Sequence, residues 1–356
     1  MKILCVCPNP ADATAWFRVI SPLRVLQSQA PDVRVQIVAG ASTDVPSIAM
    51  ADILFLQRPI DGAAINCAEQ AHLHGRKVWL DYDDDYTDVP VDNPLFHHFG
   101  SPQVRKNVSA LLDIADLVTV SSQALADRYS KIAKRVVVVR NALDDLMAKP
   151  AASVRLPTRT VLWRGGDSHN EDLAHFQEAI VRAAWSFDAA WKFLGHSPYK
   201  IMARMQPATV ANFPFFPLET YWHKLLSLQP TIVIIPLRKT SFNDAKSWIS
   251  LIEALWAGAV PLAPRWTEFL ALDGSEVPGV VYFDTPEDFE KKLIVLGNTP
   301  MSVLASAAAA GLAWVKEHAS VSIANKTRAL ALVKTMEEKP RSLEVSLAPA
   351  GVMVSR

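Results

Sequence analysis

Cysteine is scarce, neither sign of charge prevails, and no apolar stretch is long enough to cross a membrane. Of 356 residues three are cysteine, Cys5, Cys7 and Cys67. Cys5 and Cys7 lie two apart on one apolar run, where strand geometry projects both side chains in parallel from the same face, a poor arrangement for a disulfide. The set points to a reducing compartment and to buried strand thiols, with metal ligation by the Cys-x-Cys pair as the sharper alternative. Basic and acidic residues number 36 each, so no global field draws nucleic acid by bulk electrostatics, although a local basic groove stays open. The opening MKILCVCPNP is a short apolar run broken by proline, without the apolar core of a signal peptide. No run approaches the ~18 residues of a membrane span, and a cytoplasmic protein without a transmembrane segment is expected. Internal repeats are absent, and ASAAAAG is the one stretch of helix filler.

Half the residues are hydrophobic, and a chain of this length is expected to form two domains. Short apolar runs alternate with segments of helical periodicity twice over, which indicates an α/β protein of two doubly wound Rossmann-like domains with a cleft between them. The expected boundaries are 1–149, a linker at 150–159, a second domain at 160–300, C-terminal helices at 301–337 packing back on the first domain, and a loosely ordered tail at 338–356. Within these, the periodicity predicts a helix over 16–29, a strand over 231–237 and strongly helical structure over 302–334.

The most informative stretch is PLRKTSFNDAKSWISLIEALWAGAVP, residues 236–261. It reads as a strand end, a polar loop, a helix with Ile249, Ile252, Leu255 and Trp256 on one face, a C-cap at Gly258, and a further strand. The loop brings Asn243, Lys246 and Ser247 to the start of that helix, where free N–H groups, the positive dipole end and a lysine suit a diphosphate. Glu253 lies two turns further in, within reach of a hydroxylated group beside that anion.

Phe242, Asn243, Lys246, Ser247, Glu253, Ala254, Gly258 and Pro261 resemble the donor-binding segment of retaining GT-B glycosyltransferases, the family-4-like superfamily, in a subgroup common in bacteria and phages. The resemblance implies transfer of a sugar from a nucleotide-diphosphate sugar to a hydroxyl, with retention and with no further cofactor or metal. In that superfamily two glutamates eight positions apart contact the transferred sugar and the ribose. The second maps to Glu253, whereas the first falls on Ala245. That departure leaves open the sugar, and also a non-catalytic nucleotide-sugar-binding scaffold or another GT-B-like enzyme such as an epimerase.

Two further stretches carry the resemblance. Trp163 to Leu173 places Arg164, Gly165, Gly166 and His169 between a strand and a helix. The glycines admit a phosphate to the backbone and Arg164 can bond it, and the pattern W-x-G-x-x-x-H-x-x-D-L is similar to the subgroup's first donor loop. In the other half, the strand ending at Leu80 runs into Asp81-Tyr82-Asp83-Asp84-Asp85-Tyr86, whose carboxylates should raise at least one of their own pKa values. A solvated acidic turn and a divalent metal site are the other readings of such a run. Its place at a strand's carboxyl end, followed by Asn93-Pro94, resembles the subgroup's D-x-D-D segment. One of Asp83, Asp84 or Asp85 is therefore the candidate to orient or deprotonate the acceptor. Asn9 after the first strand, Arg18 in the W-F-R opening and Arg58 in Gln57-Arg58-Pro59 complete the acceptor side. The acceptor implied is a glycan or lipid-linked saccharide, or a hydroxymethylated base in phage DNA.

Overall fold

The computed structural model describes residues 1–144 and 158–339. The first half carries six parallel strands: β1 (Lys2–Cys7), β2 (Arg34–Ala39), β3 (Ile53–Gln57), β4 (Lys77–Tyr82), β5 (Leu117–Val120) and β6 (Val136–Val138), in the order β2-β1-β3-β4-β5-β6. The second carries β7 (Thr160–Gly165), β8 (Ala190–Gly195), β9 (Val210–Phe213), β10 (Ile232–Ile234), β11 (Val260–Pro264) and β12 (Val281–Phe283), in the order β12-β11-β10-β7-β8-β9. Central strands such as ILFLQ and KVWLDY are buried at every position, as parallel strands covered by helices on both faces must be. Alternate residues enter different cores: Leu54, Leu56 and Leu80 pack on one face, Ile53, Phe55 and Trp79 on the other. Phe55 and Trp79, paired in register, stack with ring centroids 3.9 Å apart. Cys5, Cys7 and Cys67 are buried free thiols, and burial pushes Cys7 up to about 11.

Local structure departs from expectation where tertiary contacts override periodicity. The helix expected over 16–29 contains a π-helical segment, Trp16–Ile20, before Ser21–Gln29. The strand expected over 231–237 is regular only at Ile232–Ile234. Residues 241–244 form their own helical turn, capped by the Thr240 side chain, so Lys246 and Ser247 lie between two helices rather than in the first turn of one. The helical stretch over 302–334 is divided into two helices, Met301–His318 and Val321–Glu337. The break occurs because Leu143 donates its N–H to the Ala319 carbonyl and accepts from the Val321 N–H, a one-residue parallel bridge. Ser320 then caps the second helix, which packs on the first half against helix Ser21–Gln29 and β5.

Most of the expected linker, and the tail from 340, lie outside the described residues. Among the described residues no single helix is long and apolar enough to cross a membrane.

Candidate active site

The two sheets meet across a cleft. A cavity of about 440 Å³ lies there, lined from both halves. In the second sheet the strand order reverses between β7 and β10, and the carboxyl ends of strands at such a switch point are where open α/β sheets take ligands. Arg164 and Gly165 end β7 and Gly166 follows, while the loop after β10 leads to Lys246 and Ser247; all five line the cavity. Gly195, at the end of β8, has φ +104, and a Cβ there would sit 2.4 Å from the Gly165 carbonyl oxygen. Glycine is thus required for the two strand ends to approach.

Glu253, on the helix Ile249–Trp256, is buried and lines the cavity. Its Oε2 is 2.5 Å from Arg164 Nη2 and accepts from the Tyr221 hydroxyl at 2.9 Å. Burial pushes the Glu253 carboxyl up, against the pull of Arg164 and Tyr221. His169 lines the same wall; its Nδ1 lies 2.9 Å from Asp172 Oδ2, and burial holds its pKa below the ordinary histidine value, helped by Lys246 and Arg164. Asp172 also accepts from the Arg238 N–H and Asn243 Nδ2 and is held low by these bonds. Arg164, Lys246 and His169 therefore gather beside two glycines and the free N-terminus of a helix, an anion-binding arrangement.

From the first half come Arg18, Asp83 and Asp84. Arg18 is fully buried in the π-helical segment and grips both carboxylate oxygens of Asp81 at 2.8 and 2.7 Å, while Nη1 donates to the Val139 carbonyl and Asn141 Oδ1. It is a strut tying β4 to the crossing between halves. Asp83 is engaged by the Thr14 and Tyr86 hydroxyls. Asp84 lies 3.9 Å from Lys246 Nζ across the cleft, and its pKa is raised, by burial first and then by Asp83 and Asp85, against Lys246 and Arg58.

Other sequence candidates lie elsewhere. Asp85 does not line the cavity: it is buried, 2.5 Å from Arg128, and accepts from Thr87. Asn243 is turned inward to Asp172 and the Arg238 carbonyl. Asn9 is exposed and bonds the Ala11 N–H, and Arg58 borders a different cavity. Ala245 is fully buried and belongs to the hydrophobic core of the first half, and its carbonyl accepts from Ser122 Oγ. The missing first glutamate therefore leaves no gap in the cavity wall. Among the described residues no group of three His, Cys, Asp or Glu is placed to hold a metal ion. Sequence reasoning missed Tyr221, Thr14 and the loop Pro214–Pro217, whose Phe215 and Phe216 form an apolar wall. None of these carries a motif; only the folding of separate segments onto one cleft brings them together.

Two parallel six-stranded sheets with helices on their faces and a cleft between them define the GT-B fold. The chain superposes on sucrose-phosphate synthase from Thermosynechococcus elongatus at 13% identity, covering 94% of this chain and 98% of that one with a TM-score of 0.66. It is similar also to Anabaena HepE, solved with UDP and glucose, at 13% identity, 94% and 99% coverage and a TM-score of 0.65. An alpha-glucosyltransferase solved with UDP and a 13-mer DNA containing an HMU base matches at 9% identity, 93% and 98% coverage and a TM-score of 0.61. At these identities the likeness is one of fold. No protein-family model matches the chain, and no curated protein matches its sequence.

Proposed function

We propose that the protein is a glycosyltransferase that moves a sugar from a nucleotide-diphosphate sugar to a hydroxyl acceptor held against its first half. The observation that carries this is the convergence, in one interdomain cavity, of Arg164, Lys246, Gly165, Gly166 and the start of helix Ile249–Trp256 with Glu253 and Asp84. Cations and N–H groups fixed where the leaving diphosphate gains charge stabilise the transition state more than the ground state. Both contacts of Glu253 fall on Oε2, so Oε1 is available to a ribose hydroxyl. Neutral His169, with Nδ1 turned to Asp172, has Nε2 as its remaining polar atom for the donor. Asp84 orients the acceptor hydroxyl; Asp83, already held by two hydroxyls, positions the loop. Solved proteins of this fold bound to UDP support the donor class.

The test is thermal unfolding with a panel of nucleoside diphosphates and their sugars. A ligand present at 100 times its Kd stabilises the folded state by about 2.7 kcal/mol, a shift of several degrees. One nucleotide should produce it, and Glu253→Ala should lose it. No shift with any nucleotide would defeat the proposal.

A further inference from the structure

The acidic stretch at Asp81–Asp85 continues to Asp88 and Asp92, and these acids of the first half meet the loop that follows β10 in the second. Asp84 lies 3.9 Å from Lys246 Nζ, the Ser241 hydroxyl donates to Asp88, and Arg238 Nη2 donates to Asp92 Oδ2 at 3.0 Å. The three acids stand four residues apart and meet their partners in reverse order, so the two loops run past one another in opposite directions. Of these six residues only Asp84 and Lys246 line the large cavity. The second-half loop has little regular structure to fix it: between Ile234, which ends β10, and the helix Ile249–Trp256 there is one helical turn, Ser241–Asp244. Arg238 ties the loop to the cavity wall as well. Its N–H donates to Asp172 Oδ1 at 3.0 Å, and Asn243 Nδ2 donates to that oxygen at 2.8 Å and to the Arg238 carbonyl at 3.0 Å. His169 Nδ1 turns to the same Asp172. Arg238 therefore stands between an exposed acid of the first half and the wall that carries His169.

We propose that Asp88 and Asp92 are positioning residues of the donor site: through Ser241 and Arg238 they hold the loop that presents Lys246 and Ser247, so that a diphosphate meets these groups already in place. That role rests on the donor site proposed above. A loop ordered in advance spares the ligand the conformational entropy of ordering it. Partly exposed contacts add little to overall stability, yet they can set this share of the affinity. The two outer contacts suit the task because they are hydrogen bonds and lie outside the cavity lining. The inner one is looser: at 3.9 Å Lys246 is beyond hydrogen-bond distance of Asp84 and can turn to an anion.

Calorimetric titration of the whole protein with UDP, GDP, ADP and pyrophosphate tests this role, beside hydrogen exchange of the backbone amides of residues 238–247. In the double variant Asp88→Ala/Asp92→Ala those amides should exchange faster without ligand. Whichever diphosphate binds the wild type should bind the variant about fivefold more weakly, a difference of about 1 kcal/mol, with the melting temperature within about 3 °C of wild type. Asp88→Asn/Asp92→Asn, which keeps an acceptor for both donors, should recover part of the affinity. Glu178→Ala breaks an exposed pair with Arg204 that is not part of the cavity lining, and should change neither readout. Undiminished affinity in the double alanine variant, or a weakening that Glu178→Ala reproduces, would overturn the positioning role and leave the donor site standing. Failure of all four to bind the wild type would defeat the donor site and the positioning role with it.

Discussion

Asp84 separates activity from stability. Burial and two neighbouring carboxylates raise its pKa above the ordinary aspartate value, so the folded protein holds that proton to a higher pH than the unfolded chain does. Ionising Asp84 therefore weakens the fold: stability falls as pH rises from the ordinary aspartate range through the raised value. In the role proposed for Asp84 activity would run the other way, because only the carboxylate can accept from the acceptor hydroxyl. For the wild type, kcat/KM, for transfer or for slow donor hydrolysis, should climb with pH through that raised pKa and then level. In Asp84→Asn the climb should vanish and kcat should drop by about 10²–10⁴, with a melting temperature at neutral pH no lower than wild type. A variant that keeps the wild-type pH profile would remove Asp84 from the reaction. Of this residue the sequence showed the essential part, since four acids within five positions after a strand must perturb one another. It did not show which one is left facing Lys246, because Arg128 pairs with Asp85 and the Thr14 and Tyr86 hydroxyls engage Asp83, all contacts from distant segments except Tyr86.

At the scale of elements, the strand ends decide whether a donor can enter. Gly165 and Gly195 are register partners on β7 and β8 and both line the cavity, and Gly195 has a positive φ. Gly195→Ala should cost about 1–3 kcal/mol through its positive φ alone, and the clash with the Gly165 carbonyl adds to that. Urea unfolding should therefore show a clear loss of stability, and the stabilisation by nucleoside diphosphate should shrink further than the stability loss explains. Full retention of both would mean that the β7–β8 end is not part of the donor floor. The strands were legible in the chain because buried parallel strands are nearly continuous apolar runs. The π-helical segment at Trp16–Ile20 and the break at Ala319–Ser320 were not. One places Arg18 against Asp81 and the other pairs with Leu143, so each answers to a partner far away in sequence and leaves the local periodicity unchanged.

For the whole molecule, a few polar contacts hold the two halves together around the cavity. Ser122 Oγ bonds the Ala245 carbonyl at 2.7 Å, Arg128 the Ser241 carbonyl at 2.6 Å, and Asn141 Nδ2 donates to Ser247 Oγ at 2.9 Å. Glu268 adds a further buried contact. It is 2% exposed, and Oε1 accepts the N–H groups of Gln123 and Ala124 at the start of helix Gln123–Tyr129, at 2.6 and 3.3 Å. Oε2 lies 3.8 Å from Arg140, which stacks over Trp248. One carboxylate from the second half thus satisfies orphan helix donors of the first and lies within ion-pair reach of its half-buried Arg140. Glu268→Ala would leave those buried donors without their acceptor, a loss of about 1–3 kcal/mol, and would take the carboxylate away from Arg140, which keeps its bond to the Leu270 carbonyl. Because the contact spans the halves, the loss should register in their coupling. Calorimetry should show unfolding broader or more split than that of the wild type, and small-angle scattering should show a larger radius of gyration, while Glu268→Gln, which keeps an acceptor for the N–H groups, should fall between. A lowered melting temperature with an unchanged radius and one sharp transition would confine Glu268 to local packing and leave closure to the contacts that line the cavity itself.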